Sequence, residues 1–199
     1  MGSICPVPLK PAVRKHIEDL IIAPTLYGMR VEQFAYKGVL TFSVIMTKEG
    51  PFLVDYHVRF NDPATQAIVP LIKSDIVEIL GAMKADTVKD FQLEVTTDST
   101  VAVVVASAGY PDKPETGKVL GHIPNVLGYN YFSKLPMLFY GAVEEVDGKP
   151  VTVGGRNITV VGIGENIIQA NKHAYDYIDS VRFEGAWYRK DIGNKFFEN

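Results

Sequence analysis

Six consecutive apolar residues, Val101-Ala102-Val103-Val104-Val105-Ala106, constrain this chain more than any other stretch. A half-solvated strand alternates apolar and polar residues with period two, whereas an unbroken β-branched run reads as a strand covered on both faces. The run is far too short to cross a bilayer. It therefore belongs to a sheet inside a folded domain, and the rest of the chain must cover both of its sides.

The segments around it supply both helices and strands. Ala12 to about Arg30 reads as a helix, with Val13, Ile17, Leu20, Ile21 and Met29 as a rough apolar stripe and Pro11 near its first position. Pro24 is expected to kink or split it. Val39–Met46 and Phe52–Arg59 read as two strands of a hairpin about the turn Thr47–Gly50. Asp62-Pro63 opens a helix, Asp as N-cap and Pro at N1; Pro70 interrupts it and Ser74–Leu80 continues it. The polar connector Lys84–Asp90 is the expected domain boundary, giving domains 1–84 and 85–199. Beyond the buried run, Gly109–Gly117 reads as a loop. Leu138–Glu145 and Asn157–Ile163 read as strands, with a turn at Asp147-Gly148-Lys149. Glu165–Val181 reads as a helix, with Ile167, Ala170, Ala174, Ile178 and Val181 on one face.

Charge and cysteine content exclude several classes. Lys and Arg total 20 against 23 Asp and Glu, a formal charge of −3, which does not suit a nucleic-acid coat or a polybasic membrane binder. A single cysteine, Cys5, allows no internal disulfide and no Cys-rich zinc site, and fits a reducing, cytoplasmic setting. No charged and apolar leader stands at the start, so no signal peptide is expected, and no membrane partner.

Two segments carry candidate chemistry. In Phe52-Leu53-Val54-Asp55-Tyr56-His57-Val58-Arg59, strict alternation puts Phe52, Val54, Tyr56 and Val58 on one face. Asp55, His57 and Arg59 fall on the other, with neighbours roughly 6.5–7 Å apart at the Cα. A carboxylate, an imidazole and a guanidinium on one face suit a metal–phosphate complex, the carboxylate holding Mg²⁺ and the guanidinium gripping phosphate as a fork. An ordinary solvated sheet face has the same pattern. Asp62 can be a helix cap or can hold a substrate amine. The second segment is Asp147 to Arg156, where Gly154 and Gly155 allow close backbone approach to an anion and Lys149 and Arg156 add charge. A hairpin with two surface cations fits it equally. The other histidines are bland: His16 and His173 fall on helices, His122 in a loop, and none has metal-ligand spacing. Cys5 has no base beside it in sequence.

A set of words in order along the chain resembles one family. They are Tyr36-Lys37-Gly38-Val39, Val58-Arg59-Phe60-Asn61-Asp62-Pro63-Ala64-Thr65-Gln66, Lys73-Ser74-Asp75, Gly109-Tyr110-Pro111, Asp147 to Arg156, Phe183-Glu184-Gly185 and Tyr188-Arg189-Lys190-Asp191-Ile192-Gly193. Together they resemble phosphoribosylamine–glycine ligase, an ATP-grasp enzyme of purine biosynthesis, over its C-terminal half. The resemblance implies an α+β fold: the C-terminal part of an ATP-grasp catalytic domain, then a small β-rich α+β domain. It implies an ATP-dependent carbon–nitrogen ligase with ATP, glycine and phosphoribosylamine as small-molecule substrates and Mg²⁺ or Mn²⁺ as cofactor. It implies that an N-terminal half, in the same chain or another, carries the glycine loop and ATP lid. Met1 to Pro8 looks like an interior segment of that family.

Residue by residue, the resemblance sets Asp55 and His57 at the metal-ligand positions, where the family has Glu and Asn. It sets Arg59 beside the phosphate chain and Asp62 near the substrate amine. It sets Lys149 and Arg156, with Gly154 and Gly155, at the ribose 5-phosphate. Asn61 and Ala64 stand where the family has Gly and Glu. The expectation is that the chain alone is inactive. The rival reading, favoured by the altered metal strand, is a non-catalytic descendant that binds a phosphorylated metabolite or a partner protein. A transition-metal site at Asp55 and His57 is a third.

Overall fold

The apolar run forms strand β4, Ser99–Ala106, buried at every residue. In the computed structural model, which describes residues 1–121 and 135–197, β4 sits inside a four-stranded antiparallel sheet. The order is β1 (Gly2–Cys5), β4, β8 (Arg156–Gly164), β5 (Met137–Tyr140). Helix α5 (Ile167–Ile178) covers one face. There Val101, Val103, Val105, Ile158 and Val160 meet Ala170, Ala174 and Ile178. The short helix α3 (Ala64–Ile68) covers the other, with Ala67 against Ala102 and Val161. Both faces are dry, as the unbroken run requires.

Helix α5 lies close to β8 because small residues meet there. A Cβ on Gly162 would collide with the Ala170 carbonyl oxygen and crowd the Ala174 nitrogen. Asn166 caps α5, its Oδ1 accepting from the Gln169 N–H at 2.9 Å. The C-terminal words of the sequence serve this helix. Phe183 is in the core, Tyr175 Oη donates to the Arg189 carbonyl at 2.7 Å, and Asn171 Nδ2 donates to the Ile192 carbonyl at 2.7 Å.

Several sequence expectations change. The strand expected over Leu138–Glu145 is two, β5 and β6 (Val143–Val146), because Gly141 and Ala142 turn to donate to the Asn157 and Arg156 carbonyls at 2.7 and 2.9 Å. Strand β6 pairs with β7 (Lys149–Thr152) about Asp147 and Gly148, both at positive φ (50° and 71°) as a two-residue type I′ turn demands. Lys149 thus begins a strand instead of ending a turn. Strand β1 had no signal of its own in the sequence; it is an edge strand recruited by β4. Asp62 does not cap α3. Pro63 holds the cap position and makes no side-chain cap bond, so the Asp62 carboxylate is left for other partners.

The contacts divide the chain into two compact units, one of 1–6, 62–73 and 94–199, the other of 7–61 and 74–93. The chain therefore passes between them several times. The second unit holds α1 (Pro11–Ile17), a π-helical turn (Glu18–Ile22) and α2 (Ala23–Val31) in one continuous run. Pro24 neither breaks nor ends this run. The turn before it widens, so the Ala23 N–H reaches back five residues to the Glu18 carbonyl, which accommodates the missing proline donor. The hairpin is β2 (Thr41–Thr47) with β3 (Gly50–His57). Helix α4 (Ile76–Ala85) is capped by Asp75, whose Oδ1 accepts from the Val77 and Glu78 N–H groups at 2.7 and 3.3 Å. Lys37 closes its other end, donating to the Lys84 carbonyl at 3.1 Å and pairing with Asp86 at 2.6 Å.

Two glycines give opposite expectations. Gly162→Ala forces α5 away from the sheet and lowers unfolding free energy by about 2 kcal/mol or more. Gly28→Ala, inside α2 with open space where the Cβ would stand, raises it by about 0.5–1 kcal/mol. Denaturant titration of the two variants beside the wild type measures both.

Candidate functional site

Each unit carries one cluster. In the hairpin unit, Ser43 pairs with Asp55 but Val44 pairs with Leu53, so Val54 is an extra residue, a β-bulge. The bulge resets the alternation. Asp55 and His57 share a face with Thr41, Ser43, Ile45 and Phe52. Leu53 and Tyr56 share the opposite face with Phe42 and Val44. Phe52 and Tyr56, expected on one apolar face, are therefore on different sides. The Tyr56 side packs on the helices, its ring 5.6 Å from that of Phe42 and its hydroxyl 2.9 Å from Thr25 Oγ1.

On the other face, His57 Nε2 lies 3.9 Å from Asp55 Oδ2 and 3.0 Å from Ser43 Oγ. Asp55 Oδ1 accepts its neighbour's backbone N–H, from Tyr56, at 2.8 Å. Arg59 is two residues beyond the end of β3, and its Nη1 donates to the Phe60 carbonyl and to Asn61 Oδ1, both at 3.3 Å. Among the described residues no three His, Cys, Asp or Glu side chains gather as a metal shell. One carboxylate and one imidazole do not fit magnesium on their own, since Mg²⁺ asks for a near-octahedral set of oxygens; the pair suits a metal that accepts nitrogen.

The second cluster is in the sheet unit. Arg156 opens β8, and its Nη1 lies 3.4 Å from Asp62 Oδ2, an ion pair between residues 94 positions apart. The same guanidinium nitrogen is 3.7 Å from Met1 Sδ. Asp62 Oδ1 accepts from Gln66 Nε2 at 2.7 Å. Arg156 and Asp62 keep 42% and 48% of their side-chain surface in solvent, so both charges are open to a ligand.

The corner that launches Arg156 is held from beneath. The Ser107 N–H donates to the Gly155 carbonyl at 2.9 Å, and the Ser107 hydroxyl oxygen lies 3.0 Å from the Gly154 carbonyl. Asn157, fully buried, has its side-chain amide 2.7 Å from Ser107 Oγ. With its nitrogen toward the carbonyls of Ala142 and Gly154, it meets them at 2.8 and 3.0 Å. Trp187 Nε1 donates to the Ser107 carbonyl at 2.9 Å. A Cβ on Gly155 would run into the Tyr110 ring, so this glycine has a packing reason to be there. Lys149 is at the far end of the β6–β7 hairpin, three ladder steps or about 10 Å of strand from Thr152. Thr152 pairs with Val143, at the hairpin's base, next to Ala142, which receives Arg156's strand. The structure thus joins Asp62 to Arg156 and Asp55 to His57, and separates Lys149 along its strand.

Sequence reasoning gave no role to Gln66, Ser107 or Asn157. Gln66 carried a signal, the i,i+4 spacing from Asp62. Ser107 and Asn157 carried none, since their partners are carbonyls brought in by strand pairing. Of the bland residues, His173 is tied to the sheet, its Nδ1 2.6 Å from the Ile163 carbonyl. Burial pushes the Cys5 thiol above its usual range, which suits a packing residue. His122 lies outside the described residues.

Comparison with known sequences addresses the family. Residues 100–195 match the profile "Phosphoribosylglycinamide synthetase, C domain", and residues 1–65 match the ATP-grasp (A) domain of the same synthetase. The chain belongs to the phosphoribosylglycinamide synthetase family. It is 37% identical over 193 residues to the phosphoribosylamine–glycine ligase of Caldanaerobacter subterraneus, covering 96% of this chain and 45% of that protein. It is 38% identical over 198 residues to the bovine trifunctional purine biosynthetic protein adenosine-3, of which it covers 19%. The chain thus spans less than half the length of the synthetases it matches. The crystal structure of the Thermotoga maritima ligase superposes with a TM-score of 0.82 at 35% identity, over 97% of this chain and 46% of that one. The biotin carboxylase domain of a Hydrogenobacter thermophilus carboxylase shares the fold at 11% identity, with a TM-score of 0.62 over 94% of this chain and 40% of that one. The α+β fold expected for this part of an ATP-grasp synthetase is the one observed. No helix among the described residues is long and apolar enough to cross a membrane.

The donor set at Asp55 and His57 predicts metal preference. In calorimetric titrations the chain takes Mn²⁺ more tightly than Mg²⁺, and His57→Asn, which replaces the imidazole by an amide oxygen, narrows the gap. Equal Mg²⁺ affinity in the two proteins contradicts the assignment.

Proposed function

We propose that this chain is the C-terminal part of a phosphoribosylamine–glycine ligase, and that Asp62 and Arg156 are its substrate-reading pair. The observation that carries the proposal is the 3.4 Å approach of a carboxylate and a guanidinium at the end of a braced glycine corner. The substrate and product of such a ligase carry an amine and a terminal phosphate on one molecule. A ligand of this kind replaces one exposed internal ion pair by two charge-matched contacts. Arg156 grips the phosphate with parallel N–H donors and Asp62 accepts from the amine. Gln66 holds the carboxylate for that contact. Gly154 and Gly155 let the corner that launches Arg156 pack against Ala142 and Tyr110, and Lys149 adds long-range attraction for the phosphate.

In the proposed reaction, ATP phosphorylates the glycine carboxylate. ADP leaves, and the phosphoribosylamine nitrogen then attacks the acyl carbon, forming the amide bond as the carbon–oxygen bond to phosphate breaks and the amine gives up one proton. Asp62 orients the attacking amine, and Arg59 neutralises charge on the phosphate chain. Such catalysis is positioning and electrostatics, so it depends on every charged group being in place. The divalent metal that accompanies ATP supplies charge neutralisation; Asp55 and His57 alone do not make its shell, and no step is drawn through it. The remainder of the ligase, in the same chain or another, completes the site, in a cytoplasmic setting. The chain alone gives no ATP-dependent turnover with glycine and phosphoribosylamine in a steady-state assay; turnover at an ordinary enzyme rate refutes this. The departures at Asp55 and His57 favour a second reading, in which the ribonucleotide is bound without being made.

The pair is tested by titration with glycinamide ribonucleotide and with ribose 5-phosphate, which lacks the amine. Arg156→Ala loses one charge-assisted contact, about 1.5–3 kcal/mol or roughly ten- to a hundredfold for both ligands. Arg156→Lys recovers part of this. Asp62→Asn weakens the ribonucleotide but not ribose 5-phosphate. With the competing carboxylate gone, the latter binds equally or up to about fivefold tighter, the range of an exposed ion pair. Wild-type affinity in Arg156→Ala refutes the proposal.

A further inference from the structure

Strand β8 changes step at one residue. From Gly164 back to Ile158 it pairs with β4 one residue at a time, Ile158 standing opposite Val105. The next pair is Ala106 with Arg156, so Asn157 is an extra residue with no partner across the ladder, a second β-bulge. The bulge changes the face of what precedes it. Ile158 and Val160 belong to the core under α5, and unbroken alternation would send Arg156 after them. Directly opposed residues share a face, so Arg156 stands instead with Ala106, in step with Ala102, which packs against Ala67 of α3. Asp62 lies one residue before the cap of α3, on this same side of the sheet, and the 3.4 Å ion pair follows.

The extra residue is an asparagine with no exposed surface, and a buried amide needs a partner for each of its protons and for its oxygen. Asn157 has them all. Its nitrogen carries two protons and meets two carbonyls, of Ala142 at 2.8 Å and of Gly154 at 3.0 Å, and its oxygen accepts from the Ser107 hydroxyl at 2.7 Å. Ala142 lies between β5 and β6, Gly154 is in the glycine corner and Ser107 directly follows β4. One side chain thus ties together three segments around the residue that carries the guanidinium. An apolar side chain of similar size makes none of these bonds. We infer that Asn157 is a positioning residue: its bulge turns Arg156 from the α5 face to the Asp62 face, and its amide holds the turn. Its part in ligand recognition rests on the reading of Asp62 and Arg156 as the substrate pair.

The experiment keeps the positioning role and the substrate reading apart. Crystal structures of the full chain and of its Asn157→Val variant are compared first, without ligand. In the variant the guanidinium leaves hydrogen-bond reach of Asp62 while α5 stays packed on β8. An unchanged Arg156–Asp62 pair overturns the inference, whatever the chain binds. Titration with ribose 5-phosphate comes second. Asn157→Val binds it about three- to tenfold more weakly, the worth of one lost hydrogen bond. Ser107→Ala, which removes only the hydroxyl partner, binds it about two- to threefold more weakly. Where Asn157→Val does not fold, Ser107→Ala carries both measurements, and an unchanged pair with unchanged affinity overturns the inference. Gly162→Ala disturbs the opposite face of the same strand, at its contact with α5, and lowers stability with affinity unchanged. A loss of affinity common to all three variants marks general destabilisation and overturns the inference. In the Arg156→Ala background Asn157→Val has no further effect, because it acts through the guanidinium; additive losses overturn the inference. A wild-type chain that binds no ribose 5-phosphate refutes the substrate reading, and the two crystal structures then decide the role of Asn157 by themselves.

Discussion

The pairing of β4 with β8 is the contact on which the rest of the sheet unit depends. Eight residues of β4 lie against Arg156–Gly164, and almost every side chain of the two strands is buried. That ladder sets where α5 sits, through the close approach at Gly162, and it recruits the edge strands β1 and β5. It also fixes Arg156, the first residue of β8. The guanidinium is exposed, yet the backbone that carries it is anchored by a strand pair whose residues are almost all buried. A cation held this way loses little freedom on meeting an anion, which is what a recognition residue needs.

The two units differ in how they are stabilised. The sheet unit is held by dry apolar layers on each side of its sheet. The hairpin unit relies on caps, turns and side-chain bridges: Asp75 at the start of α4, Lys37 at its end, Thr25 to Tyr56 across the helix–strand contact. Such contacts contribute about 0.5–1.5 kcal/mol each in water. They direct a chain without being able to offset its ordering entropy.

The bulge at Val54 matters more than its single residue suggests. Without it, Leu53 would share a face with Asp55 and His57, and the acid–imidazole pair would have an aliphatic neighbour directly beside it on its own strand. With it, Leu53 is turned to the other face, and the pair shares its own with the Ser43 and Thr41 hydroxyls and with Ile45 and Phe52. Bulges are found where a sheet must re-aim a side chain, and this one moves Leu53 off the Asp55 face and Phe52 onto it.

Much of the fold was legible in residues 99–106 and 157–178. Their apolar runs and helical spacing are strong enough to override local ambiguity, and the burial they call for is the burial observed. Asp55 and His57 were readable as a pair because two residues at i and i+2 share a face on any regular strand. The resemblance of ordered words pointed to the family from sequence alone. What the sequence left open is whatever depends on partners distant along the chain. The bulge depends on the β2 register, β1 on β4, and the glycine corner on Ser107 and Tyr110. The joining of Asp62 to Arg156 across 94 positions depends on a helix and a strand meeting through the sheet's packing. Local pattern decides which element a segment forms, because helix and strand periods are set by the backbone. Which side chains then meet is decided by long-range pairing, where no sequence period operates and only the packed structure chooses.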